Sequence, residues 1–348
     1  MSSANRRSTA KRSSTRRPAR RAGRRRWISG AAALVAVGLV AALVWVFVRP
    51  DEAGSGTRPP QSALGAGTRM GPVELRTDDL DGLREFYTRG VGLSPVSQGA
   101  REVTLGRDGV PLLRLAVADA PADDPRQAGL YHSAFLFPDE AALARALVDT
   151  ATVAPNAFQG ASDHRVSQAF YFADPDGNGV ELYVDRPRDQ WRWEDGQVVM
   201  GSTAIDPNAF IRTHLDQGAT GPGAAVTMGH VHLRGGDLKQ AESFYADTLG
   251  FAVTSRTDGA LFLAADGYHH HLAVNIWSSA GAGARPDSLG LRSVAVHVTD
   301  TGELDALAQR LTAADVAYER ADASITVHDP WGTRVVVSAV AGAENDTA

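Results

Sequence analysis

Two histidines and one glutamate stand at matching points of an internal repeat, and together they offer nitrogen and oxygen donors to a single metal ion. Four segments open alike. Each carries a short apolar strand with a fixed point seven residues before an aspartate: Pro72 and Asp79, His132 and Asp139, His230 and Asp237, Ser293 and Asp300. Only the two middle fixed points are histidine. The second and fourth segments close alike, with Asp174-Pro175-Asp176-Gly177 leading to Glu181 and Asp329-Pro330-Trp331-Gly332 leading to Val336, so only one copy keeps a carboxylate there. A repeat of about fifty to sixty residues that keeps potential ligands only in its central copies points to one metal site. The chain has no cysteine, so any tightly held ion must rest on imidazole and carboxylate, and disulfides and thiol nucleophiles are excluded.

The elements that must position these residues follow from periodicity. Segments at about 70–118, 128–185, 227–278 and 290–340 each begin with an alternating apolar run such as Val226–Leu233. An amphipathic stretch such as Asp237–Leu249 follows, then further short strands. The unit is β-α-β-β-β, and the fold class is α+β. Asp-Pro-Asp-Gly at 174–177 has turn chemistry, after which Val180, Leu182 and Val184 alternate with Glu181 and Tyr183, placing Glu181 on one face of a final strand. Asp79 and Asp237 read as helix N-caps, and Tyr87 and Tyr245 as core packing. Residues 186–226 interrupt the repeat as a connection, and its tryptophans are expected to clamp the body. The chain is expected to divide into a basic arm at 1–26, an anchor at 27–48, a Gly/Pro/Ser-rich linker at 49–69, a first domain of two units at 70–185, an inter-domain connection at 186–226, a second domain of two units at 227–340, and a tail at 341–348.

Charge is distributed unevenly. Of 35 Lys and Arg, eleven lie in residues 1–26, which contain no acid, and the rest of the chain holds all 40 Asp and Glu. This arm runs into Trp27–Val48, 22 residues without a charge, long enough for one transmembrane helix. An arginine-rich flank stays on the cytoplasmic side, so the expected arrangement is a single-pass anchor in the cell membrane with an extracytoplasmic body. Arg24-Arg25-Arg26-Trp27-Ile28 also allows the alternative of a secreted protein exported by a twin-arginine-like signal. The acidic body gives no reason to expect a nucleic-acid partner, and nothing in the sequence sets the oligomeric state, a homo-oligomer included.

The repeat resembles the vicinal oxygen chelate superfamily, and residues 70–340 resemble its two-domain extradiol dioxygenases of the catechol 2,3-dioxygenase type. The resemblance rests on Gly129-Leu130-Tyr131-His132, Asp163-His164 through Glu181, Tyr183 to Arg188, Gly229-His230-Val231-His232-Leu233 and Gly267-Tyr268-His269-His270-His271-Leu272-Ala273. It implies two cupped mixed-sheet barrels built from the four units, with Fe(II) held by His132, His230 and Glu181. Two imidazoles and a carboxylate on one face of an octahedral ion leave three adjacent positions for a small aromatic diol and O₂; Mn(II) accepts the same donors. The resemblance further implies catalytic roles for Tyr171, ten residues before Glu181, and for His270 as acid–base group, an imidazole being suited to taking and returning a proton near neutral pH. His232 and His164 are candidate substrate contacts, and His269 and His271 compete with His270 in register.

In the usual two-domain enzymes the metal lies between the third and fourth units, yet the candidate residues here all belong to units two and three. The expectation is that unit two pairs with unit three around the ion and that units one and four form a second cup without one. Two other functions remain open: a metal-dependent glyoxalase-like lyase or isomerase, disfavoured by the single glutamate at a ligand point, and a non-catalytic bleomycin-resistance-like binding protein.

Overall fold

The computed structural model of the protein describes residues 58–217 and 225–340. The basic arm, the apolar run at 27–48 and the tail at 341–348 lie outside them, and among the described residues no helix is long and apolar enough to cross a membrane.

Four β-α-β-β-β units make two sheets. The opening strand of unit two, Gly129–Leu136, runs antiparallel to that of unit three, Thr227–Arg234. These two form the centre of a nine-stranded sheet, flanked by the closing strands Gly179–Asp185 and Leu272–Asn275, each parallel to its own opening strand. Units one and four repeat the arrangement in an eight-stranded sheet around Arg69–Thr77 and Gly290–Val298. The regions 70–185 and 227–340 therefore divide the chain but not the sheets: each half gives one unit to each sheet.

All four repeat aspartates cap helices. Asp79, Asp139, Asp237 and Asp300 each accept a hydrogen bond from the backbone N–H three residues on, at 2.7 to 3.1 Å. In units one and three the expected helix is not uniform: Leu80–Glu85 and Leu238–Glu242 are α-helical and then widen into π-turns, Phe86–Gly90 and Ser243–Thr248. The widened turns hold Tyr87 and Tyr245, which do more than pack. Tyr87 donates to Asp174 at 2.9 Å and Tyr245 to Asp329 at 2.9 Å, both between wholly buried tyrosines and the turn aspartates of the following unit. Each bond ties one sheet to the other, and the pair repeats with the pseudo-symmetry of the chain.

Two segments depart from expectation. The second half of the linker is docked: Leu64 is buried, Ala63 donates to the Gly250 carbonyl at 2.8 Å and Gly65 to Glu303 at 2.8 Å. Leu64, a lone large apolar side chain among small residues, gives this stretch something to bury, which its Gly/Pro composition obscures. The connection after residue 185 adds the short strand Thr203–Ala204 to the edge of unit two and the helix Pro207–His214 over the unit-two helix. Trp191 is buried against Tyr268 and His269 as the expected clamp.

Candidate metal centre

Register across the nine-stranded sheet brings the candidate residues into one row. His230 lies opposite Ala134, Ala134 opposite Glu181, and Glu181 opposite Tyr171, so His230, Ala134, Glu181 and Tyr171 share a face across four neighbouring strands. His132 sits on that face two residues before Ala134. Phe135, Val180, Leu182, Phe170 and Phe172 alternate with these positions and are buried in the core on the opposite face. The small side chain of Ala134 leaves space between the three donors.

Glycines shape the two edges of this row. Gly179 is paired with His132, and a Cβ there would stand 2.1 Å from the Tyr131 carbonyl oxygen; a Cβ at Gly229 would stand 1.7 Å from the Tyr183 hydroxyl. Any side chain at either point would displace the strand or the ring beside the donors.

The donor atoms converge. Among the described residues His132, Glu181 and His230 form the one cluster whose ligand atoms all lie within 4.8 Å of one another. Nε2 of His132 is 2.9 Å, and Nε2 of His230 3.2 Å, from the same Glu181 oxygen, Oε2. Two donors at right angles, each about 2.1 Å from an ion, stand about 3 Å apart. All three side chains are nearly fully buried.

A plain hydrogen-bonded cluster does not account for this geometry. His230 meets hydrogen-bond geometry with Glu181, but Nε2 of His132, though closer, makes no hydrogen bond, and Nδ1 of His230 also lacks a partner. Buried polar atoms are rarely left so. A cation shared by the three donors satisfies the His132 nitrogen where a hydrogen bond does not, so the residues fit a divalent ion.

Protonation suits the same role. Burial pushes His230 down to about 4, against the pull of Glu181, so its imidazole is neutral at ordinary pH. Burial works to raise the Glu181 carboxyl, and the neighbouring His230 and His132 outweigh it, holding the group ionised. Neutral imidazoles and an ionised carboxylate are the forms that ligate a metal.

The other candidates gather around this cluster. The ring of His132 is 5.6 Å from that of Tyr171 and 4.9 Å from that of His232. His232 accepts from the Asn275 amide at 3.1 Å, and burial lowers its basicity well below the ordinary value. Tyr171 is bonded to Nε2 of His164 at 2.7 Å, while Nδ1 of His164 donates to the Gly201 carbonyl at 2.7 Å. With one proton on the His164 ring, held at Nδ1 by Gly201, Nε2 accepts the Tyr171 O–H. His270 lies in the loop before Leu272–Asn275, its ring 4.1 Å from that of His230. His271 turns away to accept the Ala265 N–H, which settles the register among the three histidines.

What the sequence did not show is that Asp185, His269, Tyr268 and Tyr183 join in one largely buried chain beside His270. Asp185 continues the alternation of Glu181 and Tyr183, and that signal was available. The contact between His269 and His270 was not, because it arises in a loop without a fixed period. Two surface concavities of about 290 Å³ each, one at the Asp174-Pro175 turn and one bounded by Gly90 and Arg145, hold none of these groups; donor chemistry, not surface shape, marks the site.

Comparison with known proteins agrees with this architecture. The model of the glyoxalase/bleomycin resistance protein/dioxygenase superfamily matches residues 69–182 and 227–337. The chain belongs to this superfamily. A catechol-2,3-dioxygenase of Bacillus subtilis (strain 168) is 36% identical over 270 residues, covering 76% of this chain and 94% of that protein. Among solved structures, a Bacillus subtilis protein provisionally described as a dioxygenase superposes with a TM-score of 0.52 at 12% identity, covering 78% of this chain and 84% of that one. A mutant of glyoxalase I from Zea mays superposes with a TM-score of 0.50 at 16% identity, covering 78% of this chain and 94% of that one. At these identities the structural matches establish the fold alone.

Proposed function

We propose that this superfamily member is an Fe(II)-dependent extradiol dioxygenase that opens the ring of a catechol-type substrate with O₂. The observation that carries the reading is the convergence of the His132 and His230 nitrogens on one Glu181 oxygen, at 2.9 and 3.2 Å, next to Tyr171 and His270. The similarity to a catechol-2,3-dioxygenase over most of both chains supports the choice of reaction within a superfamily of several chemistries.

His132, His230 and Glu181 would hold the Fe(II), which would bring the diol and O₂ together as oriented neighbours. The protein does the rest. Glu181 offsets part of the ion's charge from within a dry site. Tyr171, its O–H donated to His164, accepts a hydrogen bond from a diol hydroxyl. His270 takes a hydroxyl proton on Nε2 and returns it to the product oxygen. His232 and its aromatic neighbours Tyr131 and Trp277 line the approach.

The test is anaerobic loading of the metal-free protein with Fe(II) or Mn(II), followed by catechol and O₂. The reading expects about one O₂ consumed per catechol and both oxygen atoms in a ring-opened product. Isomerisation of a thiol adduct without O₂ uptake would instead assign a glyoxalase-like lyase, and tight catechol binding without metal or turnover a binding protein. We also propose, from residues 1–48, a membrane-anchored body on the extracytoplasmic side; protease added to intact cells should then degrade the body, and full protection would reject this placement.

A further inference from the structure

Outside the three donors, five side chains form a largely buried line whose hydrogen bonds converge on Asp185 from both ends. Tyr183 and Tyr268 share a hydrogen bond at 2.8 Å, and Tyr268 donates to Oδ2 of Asp185 at 2.8 Å. Oδ1 of Asp185 is 2.8 Å from Nε2 of His269, and Nδ1 of His269 is 2.7 Å from Nδ1 of His270. His269 is fully buried, its ring 4.1 Å from that of Tyr268 and 5.1 Å from that of Trp191.

Donor and acceptor roles propagate along this line. A carboxylate only accepts, so His269 donates from Nε2. With one proton on the His269 ring, held at Nε2 by Asp185, its Nδ1 is an acceptor. His270 must then donate from Nδ1, which leaves Nε2 without a proton, and that atom makes no hydrogen bond among the described residues. In a neutral histidine, the partner of one nitrogen decides which form the other presents.

We infer that His269 and Asp185 are positioning residues that hold His270 in the form with a bare Nε2, ready to accept a proton from the substrate. The inference rests on the proposed role of His270. When a diol O–H breaks, its proton moves to Nε2 of His270, and the electron pair stays on the substrate oxygen. The imidazolium still donates from Nδ1 to His269, whose other nitrogen faces Asp185, so the new positive charge lies along an existing dipole chain. Tyr268, itself bonded to Tyr183, holds the second carboxylate oxygen, and Trp191 packs against the His269 ring. Gly229 belongs to the same device, since a side chain there would push Tyr183 out of the line.

The test uses the full chain and two independent readouts. In metal-free protein with ¹⁵N-labelled imidazoles, His270, identified by the signal lost in His270→Phe, is expected to show a protonated Nδ1 and a bare Nε2. In His269→Phe the proton should redistribute toward Nε2, whereas in His269→Asn, whose side-chain oxygen can replace Nδ1 as acceptor, the original form should persist. In the Fe(II)-loaded enzyme His269→Phe should lower kcat by about a hundredfold with KM and iron content little changed, and His269→Asn should recover most of it. Asp185→Ala should also mix the two forms of His270. A protonated Nε2 in the wild type, or His269→Phe with unchanged kcat, would overturn the inference. Failure of the wild type to consume O₂ with catechol would instead overturn the reaction, and the nitrogen spectra would still decide the positioning role.

Discussion

Glu181 joins the two histidines, because the same oxygen faces both imidazole nitrogens, and its substitutions separate metal binding from folding. Glu181→Ala removes the only anionic donor and is expected to cut affinity for Fe(II) by at least a hundredfold. Glu181→Gln, which keeps the shape but not the charge, should do nearly the same while leaving the melting temperature of the metal-free protein close to that of Ala; equilibrium dialysis with Fe(II) and calorimetry check both. His164→Ala should act differently. It frees the Tyr171 proton, so metal content should hold while KM for catechol rises, and steady-state kinetics at saturating O₂ would show it. At this scale the sequence was informative wherever a repeat supplied a reference: His132, His230 and Glu181 stood out because Pro72, Ser293 and Val336 occupy the matching points. It left His269 only as a competing register for His270, since no unit repeats the loop that bends the two together.

Among the elements, the turn that precedes Glu181 carries a pH signature. Asp174 accepts from the backbone of Asp176 and Asn178 and from Tyr87, yet burial pushes its carboxyl up to about 6. A carboxyl whose folded value lies above its unfolded value holds its proton more tightly when folded. Its contribution to stability is therefore fully present below about pH 4 and is lost as pH rises to about 6, amounting to about 3 kcal/mol. Asp174→Asn should flatten the dependence of melting temperature on pH across this window; an unchanged slope would assign the effect to other groups. Helix starts were legible for a physical reason, since a capping aspartate is a local device that acts through the N–H groups next to it. The π-turns at Phe86–Gly90 and Ser243–Thr248 were not, because they place Tyr87 and Tyr245 against aspartates roughly 85 residues away.

The molecule as a whole is held by exchange between its halves. Each half of the chain gives one unit to each sheet, and the two tyrosine–aspartate bonds cross between sheets at equivalent places. Tyr87→Phe and Tyr245→Phe should each destabilise by about 1–3 kcal/mol, because each leaves a buried carboxylate one donor short, and the two losses should add since the sites are separate. Denaturant unfolding of both single variants and the double variant checks this. The pairing of unit two with unit three could be inferred from where the ligand residues survived, but the docking of Ser62–Thr68 against Gly250 and Glu303 could not, as its contacts are with distant residues.

The central claim is that His132, His230 and Glu181 hold one ion together. The most direct measurement is anaerobic metal analysis of the Fe(II)-loaded protein beside its Glu181→Ala form, after both pass through the same desalting step. About one iron per chain in the first and little in the second is the predicted result. Equal iron in both would contradict the account.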